Sequence, residues 1–240
     1  MEEKGIEYII GLNRKVIAEH PGVIHSPDKF LIHVRGVYAL AEETTKRIAK
    51  SYQGIPLNVE EVGCGAGLHD IGRPLSSNEL GQLGHEIRSK KWVEENAEKE
   101  GIVDSLIDAY RIAQMTSSHS SVYEQCLIAK ELLEKGDEKA KKFIEEFGQI
   151  NPFLLVPRTW QEAIVAYSDL CDNNGEKVDP IWKLQDATKR YQNDLMYKDS
   201  FVVEGHKRAM ERLTGLCRAI DAAKEKKLTN AEMQTLFGFL

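Results

Sequence analysis

No run of the chain approaches the roughly 18 consecutive apolar residues that a membrane-spanning helix requires,. The N-terminal stretch MEEKGIEYII begins acidic and lacks both the basic region and the apolar core of a secretory signal,. Cysteine is scarce: Cys64, Cys126, Cys171 and Cys217 stand far apart and form no CxxC pair. That spacing argues against a disulfide framework or a structural zinc site and for reduced, packing thiols. The chain has no surplus of positive charge. Its net charge is −6, and clusters such as Lys139 to Lys142 and Lys224 to Lys227 are interleaved with or flanked by acids. Broad binding to nucleic acid or to a membrane surface is therefore not expected. Sustained strand alternation, internal repeats and low-complexity tracts are all missing. These absences together predict a soluble, cytoplasmic protein, and at 240 residues it is long enough to bury its own core,.

Helical periodicity is what remains, and it covers nearly the whole chain. Ile6, Ile9, Ile10, Val16 and Ile17 predict a helix over 6–19, ended by His20-Pro21-Gly22,. Asp28 is the expected cap of a long helix to about Tyr52, with Phe30, Val34, Val37, Ala41 and Ile48 as its apolar stripe and His33 on the flank,. Asn58 is expected to cap the next helix, on which Val59, Val62, Ala66 and His69 share a face,. Gly63, Gly65 and Gly67 are costly there, at about 1 kcal/mol each against Ala,. Either close approach of another helix or a looser segment accounts for them.

A Gly, Pro, Ser and Asn-rich loop over 72–84 leads to His85 in the first turn of a helix running to about Glu100. Further helices are predicted over 103–115, 122–134, 138–147, 159–172, 181–196 and 203–226,. A short last one begins at the capping box formed by Thr229 and Glu232,. The segment Gly148 to Pro157 reads as a connector. The fold class is all-α.

Residues 64–74, CGAGLHDIGRP, are the chemical centre of the sequence. An imidazole and a carboxylate stand side by side at His69 and Asp70, where Ile71-Gly72 ends a helix, and such a pair can bind one divalent metal or bridge two,. Other ligand-type residues recur at helix ends or inner faces: His33, His85, His119 and Asp169. Asp169 lies among Ala163, Ala166, Tyr167 and Leu170, a position disfavoured for an Asp unless it is paired, ligating or near water,.

The order His33, His69-Asp70, His85, His119, Asp169 resembles the HD-domain metal-dependent phosphohydrolases,. The resemblance rests on His69-Asp70-Ile71-Gly72, on Arg73 directly after it, and on the run AYSDL around Asp169. It spans about residues 28 to 172. It implies an HD-domain helical bundle over 28–175, an N-terminal helix in 1–27 packed on that core, and additional C-terminal helices in 176–240.

It also implies that His33, His69, Asp70 and Asp169 hold a first metal. These two imidazoles and two carboxylates suit Fe, Mn, Zn, Mg, Co or Ni, and not Cu(I). His85 and His119 then complete a second site across a bridging Asp70, or His119 binds substrate phosphate instead. Asp172, three residues on, is the alternative to Asp169 as ligand. One or two metal ions per chain are expected.

The implied reaction is hydrolysis of a phosphoester or phosphoanhydride by a metal-activated water, with Asp70 at the metal and Arg73 as a fixed cation on a phosphate oxygen. Arg88, one turn beyond His85, is a second candidate for substrate, and a surface position is the alternative for Arg73. Family analogy points to a small phosphorylated metabolite, a nucleotide or dinucleotide, cleaved as a phosphomonoester, phosphodiester or pyrophosphate. Tyr123, Trp160 and Tyr167 are either core aromatics or base-stacking residues,. Cyclic-dinucleotide cleavage is disfavoured because no Gly-Tyr-Pro motif follows the core.

A di-iron oxygenase on the same ligand order and a non-catalytic metal-binding or sensor module are the alternative functions. A homo-oligomer is compatible with all three. The roughly 50 residues between His119 and Asp169 form a long excursion, expected either to cover the substrate or to serve as a decoration or dimer contact,.

Overall fold

The computed structural model describes residues 5–52, 54–76, 80–193 and 201–235. Among these, the helices in chain order are α1 (Ile6–Glu19), α2 (Pro27–Ser51), α3 (Val59–Leu68), α4 (His85–Asn96), α5 (Leu106–Ser117), α6 (Val122–Leu133), α7 (Glu138–Phe147), α8 (Trp160–Leu170), α9 (Pro180–Asn193), α10 (Phe201–Lys224) and α11 (Asn230–Thr235). A 3-10 turn, Pro152–Leu155, interrupts the expected connector. The strands β1 (Asp172–Asn173) and β2 (Glu176–Lys177) pair antiparallel, Asp172 opposite Lys177. The described residues are all-α apart from this two-residue ladder. None of the described helices is long and apolar enough to cross a membrane.

Local chemistry sets the helix boundaries. Asn58 accepts hydrogen bonds from the Glu60 and Glu61 amides, and Ser105, Asp137 and Thr159 accept from the amides of Asp108, Ala140 and Glu162. Such caps are worth about 1 kcal/mol each. The Ser105 cap is why the helix expected from 103 starts at Leu106. Asp28 is not the cap of α2: Pro27, with its fixed φ, takes the first helical position after Ser26, and Asp28 lies in the first turn, where its charge faces the helix N-terminus,. The predicted helix over 159–172 stops at Leu170, freeing Asp172 for β1. The capping box forms as expected, with Thr229 N–H donating to Glu232 Oε2 at 2.7 Å and Glu232 N–H to Thr229 Oγ1 at 3.2 Å. Positions 194–196 of the helix expected over 181–196, and 77–79 of the loop expected over 72–84, lie outside the described residues.

Four apolar clusters hold the described elements together, the smallest of them Ile10 of α1 on Phe30, Leu31 and Val34 of α2. In one, Val37, Ala41 and Ile48 of α2 meet Val62 and Ala66 of α3, Ala163, Ala166 and Leu170 of α8, and Ala209, Leu213 and Ile220 of α10. In another, Ile9, Leu12 and Val16 of α1 pack on Leu68, Ile71, Val93 and Ile112. A third joins Leu80, Leu83 and Ile87 to Val122, Phe143, Phe147 and Phe201.

Close approach explains the glycines of α3, which is a regular helix. An added Cβ at Gly65 would press on the Met115 side chain at 2.8 Å, and one at Gly67 on Ile9 at 2.5 Å. Two neighbouring helices therefore sit against the α3 backbone. That contact brings the end of α3 to the middle of the bundle.

Candidate metal centre

Five segments deliver polar side chains to one point. His33 comes from the second turn of α2. His69 caps the C-terminus of α3, with Asp70 next to it in the following turn. Ile71 is wholly buried in the apolar cluster beside α1, and Gly72 N–H donates to Ser89 Oγ at 2.8 Å. A Cβ at Gly72 would overlap the His85 carbonyl and the Ser89 amide, so only glycine lets the first turn of α4 lie against this one,. His85 opens α4 behind Gly84, which has φ +70°. His119 follows the end of α5, and Asp169 sits in the last turn of α8.

All six ligand-type residues from the sequence come together. His33, His69 and Asp70 form one triplet of mutually close donor atoms; His69, His119 and Asp169 form a second; Asp70, His85 and His119 form a third. Within each triplet the atoms lie within 4.8 Å of one another. The Asp70 carboxylate stands in the middle and is 1% exposed. Its Oδ2 lies 3.7 Å from His33 Nε2 and 3.4 Å from His69 Nε2. Its Oδ1 lies 3.0 Å from His85 Nε2 and 3.7 Å from His119 Nε2. Asp169 Oδ1 lies 3.3 Å from His33 Nε2 and 3.8 Å from His69 Nε2.

The histidines present one nitrogen each. Nδ1 of His69, His85 and His119 lies 2.6, 3.0 and 2.9 Å from the carbonyls of Ala66, Gln82 and Thr116, each three residues back. A carbonyl only accepts, so Nδ1 carries the proton in the neutral ring and the lone pair on Nε2 faces the centre. Nε2 of these three rings and Oδ1 of Asp70 are buried without a hydrogen bond. Orphaned buried acceptors cost about 1–3 kcal/mol each unless something binds them. Donor atoms about 2.1 Å from a shared ion lie roughly 3–3.5 Å apart, close to the separations seen here. The donor set therefore fits divalent metal, with one oxygen of Asp70 on each side.

Charge in the centre is strongly coupled. Burial alone would raise the Asp70 carboxyl, but the Arg73 guanidinium and the His69 ring outweigh it and hold the group well below the usual carboxylate range,. Asp169 is likewise held low, against its burial, by Lys183 and His33. Burial pushes His33 down, while hydrogen bonds to Asp169 and Asp172 push it further up, to about 9.

A cavity of about 1000 Å³ opens over these residues. Arg73 lines it with its Nε 2.6 Å from Asp70 Oδ2 and its Nη1 donating to Gln82 Oε1 at 2.9 Å. Arg88 turns away: Nε donates to Glu146 Oε1 at 2.8 Å, the guanidinium lies over Phe147, and the residue is not among those lining the cavity. Trp160 donates to the Met233 carbonyl and Tyr167 to Asp221, both buried in the apolar core, and Tyr123 packs on Phe153. The described aromatic rings at the cavity wall are instead Phe30 and Tyr191. Among the described residues α7 contributes nothing to the lining; its Phe143 and Phe147 pack behind the segment that carries His85.

Two polar residues at the centre lacked a clear signal in the sequence. Lys183, in the first turn of α9, donates to Asp169 Oδ1 at 3.1 Å and to the carbonyls of Asp169 and Asp172 at 2.5 and 2.6 Å. Asp172, weighed in the sequence as an alternative ligand, instead meets Nδ1 of His33 at 2.6 Å, on the side of the ring away from the centre.

Residues 30–146 match the family model of the HD domain. Asp169, Asp172 and Lys183 lie beyond the matched residues. Neither the curated proteins nor the solved structures hold a match to the chain.

Proposed function

Because the chain carries an HD domain over residues 30–146, we propose that it is a metal-dependent phosphohydrolase acting on a small phosphorylated metabolite. One observation carries the reading: the two oxygens of a single buried carboxylate, Asp70, face different pairs of histidines. His33, His69, Asp70 and Asp169 would hold one ion; His85 and His119 would hold a second across Asp70. Bound there, Fe, Mn, Zn, Mg, Co or Ni would supply Lewis-acid charge and a water of lowered pKa.

The chain's own residues do the rest. Arg73 remains cationic, its charge favoured by Asp70 over its burial, and its guanidinium at the cavity wall is placed to take a phosphoryl oxygen,. Gln82 fixes the free end of that guanidinium. The charges of Lys183 and Arg73 favour the ionised forms of Asp169 and Asp70,. A cavity of about 1000 Å³ is large enough for a nucleotide or dinucleotide, with Tyr191 and Phe30 as the available aromatic faces,.

The test is metal content per chain, followed by phosphate release from a panel of nucleoside phosphates, dinucleotides and simple phosphomonoesters. Two equivalents in the wild type, one in His85→Ala and none in Asp70→Ala, with hydrolysis lost in both variants, are the expected results. Iron-dependent oxygen uptake with no phosphate release would transfer the centre to a di-iron oxygenase. Bound metal with neither activity would leave a sensor module.

A further inference from the structure

His33 differs from the other three histidines in what holds it. His69, His85 and His119 sit at helix ends, where a carbonyl three residues back is open to Nδ1. His33 lies inside α2, where the backbone carbonyls are engaged by helical N–H groups, so its Nδ1 needs an acceptor from elsewhere,. That acceptor is the carboxylate of Asp172, 2.6 Å away and 1% exposed. Glu86 Oε2 also stands 3.3 Å from His85 Nδ1, but the hydrogen bond of that nitrogen goes to Gln82. Among the described residues, only His33 has a carboxylate hydrogen-bonded to the outer nitrogen of its ring.

The site of Asp172 is built to hold it. Both carboxylate oxygens accept the Gly175 N–H at 3.1 Å, closing the turn between β1 and β2. Its carbonyl accepts from Lys183 Nζ at 2.6 Å. On the facing helix, three residues after His33, stands Gly36, and a Cβ there would overlap the Asp172 carboxylate. Room for the carboxylate thus depends on a missing side chain on the same helix that carries the histidine.

We propose that Asp172 is a positioning residue for the first metal: through the Nδ1 of His33 it aims Nε2 at the centre and strengthens that ring as a donor. A carboxylate behind a ligating histidine raises the basicity of the ligand, and losing such a partner typically lowers metal affinity about 10–100-fold. The effect is one-sided, because His85 and His119 have carbonyls in the equivalent place. The first ion is therefore held more tightly than the second, and the turn at Asp172–Lys177, outside the matched HD-domain residues, sets the difference. This inference rests on the metal part of the proposed function and is independent of what the centre hydrolyses.

The experiment titrates metal-free protein with Co(II), competed by a chelating indicator and followed by the visible absorption of bound Co(II), for the wild type and for Asp172→Asn, Asp172→Ala and Gly36→Ala. Asn keeps an acceptor for Nδ1 and removes the charge; Gly36→Ala keeps the charge and displaces it. The tighter equivalent is expected to weaken about 10-fold in Asp172→Asn and 10–100-fold in the other two. The weaker equivalent is expected to be unchanged, and metal-free Asp172→Asn to melt with the wild type. Unchanged affinity in all three variants overturns the positioning role. So does parallel loss of both equivalents together with a lowered metal-free melting temperature, which would mark a purely structural residue. A wild type that takes up no Co(II) overturns the metal reading of the centre and this inference with it. Absence of phosphate release from a wild type that binds two ions overturns the proposed reaction alone.

Discussion

Asp70 and Arg73 stand three residues apart in the turn after α3 and do opposite things with the same contact. Arg73 Nε lies 2.6 Å from Asp70 Oδ2, which lowers the carboxyl and leaves the guanidinium cationic at the cavity wall. On the proposed reaction, replacing Arg73 by Gln would remove a cation from the place where a phosphoryl group gains charge in the transition state. Loss of one such preorganised donor costs about 100–1000-fold in rate. Arg73→Gln is therefore expected to lower kcat by that factor on any phosphate substrate while the two metal equivalents stay bound, read by steady-state kinetics beside metal analysis. Loss of metal along with rate would show that Arg73 serves Asp70 and not the substrate. Arg88 carries the same charge and stands as near in sequence to His85, yet it is spent on Glu146. Only the fold separates these two arginines.

At the scale of elements, the centre depends on how closely the turn after α3 meets α4. A methyl at Gly72 would overlap the His85 carbonyl, so Gly72→Ala must push the first turn of α4 outward. Overpacking of this kind costs about 1–3 kcal/mol. The variant is expected to show that loss in denaturant midpoint and to lose the weaker metal equivalent, since His85 moves with the turn. The junction of α9 and α10 has its own signature. His206 is buried and donates Nε2 to the Leu184 carbonyl at 3.1 Å; burial outweighs that bond and lowers its pKa from 6.5. A histidine held neutral contributes stability that is present above its unfolded pKa of about 6.5 and is lost as pH falls through its folded value. Melting curves of wild type and His206→Gln are therefore expected to converge as pH falls below about 6.5, and equal pH slopes would sink the idea. The Asp28 cap failed because Pro27 takes the first helical position. Helix positions, the Asn58 cap and the Thr229–Glu232 capping box were legible in the sequence because each follows from local periodicity or turn chemistry, and the set of six ligand-type residues through its resemblance to HD domains. Asp172 behind His33 and Lys183 beneath Asp169 were not, since both are long-range pairings made by a ladder of two residues and by the docking of α9. The glycines of α3 stayed ambiguous for the same reason: what meets Gly65 and Gly67 comes from α5 and α1.

For the whole molecule, the centre is where polar side chains of α2, α4, α8, the turn that ends α3 and the segment after α5 converge. Four histidines and two carboxylates converge there, and three imidazole lone pairs and one carboxylate oxygen are buried without a hydrogen bond. The charged contacts across this point are Arg73 on Asp70, Lys183 on Asp169 and Asp172 on His33. A metal held by these residues would bind the folded arrangement and not the unfolded chain, in which they are scattered from position 33 to position 169. At free metal a hundredfold above its dissociation constant, that linkage is worth about 2.7 kcal/mol per ion. For a chain of this length each kcal/mol moves the melting temperature by about 2–4 °C. Chelation is therefore expected to lower the melting temperature by roughly 5–10 °C for each ion removed. Asp70→Ala, which takes out the carboxylate shared by both sides, is expected to melt at one temperature with or without chelator. A wild type whose melting is indifferent to chelation, while its metal content falls, would mean that packing alone holds the five segments in register. In that case the convergence of donors would be a product of the fold and not one of its supports.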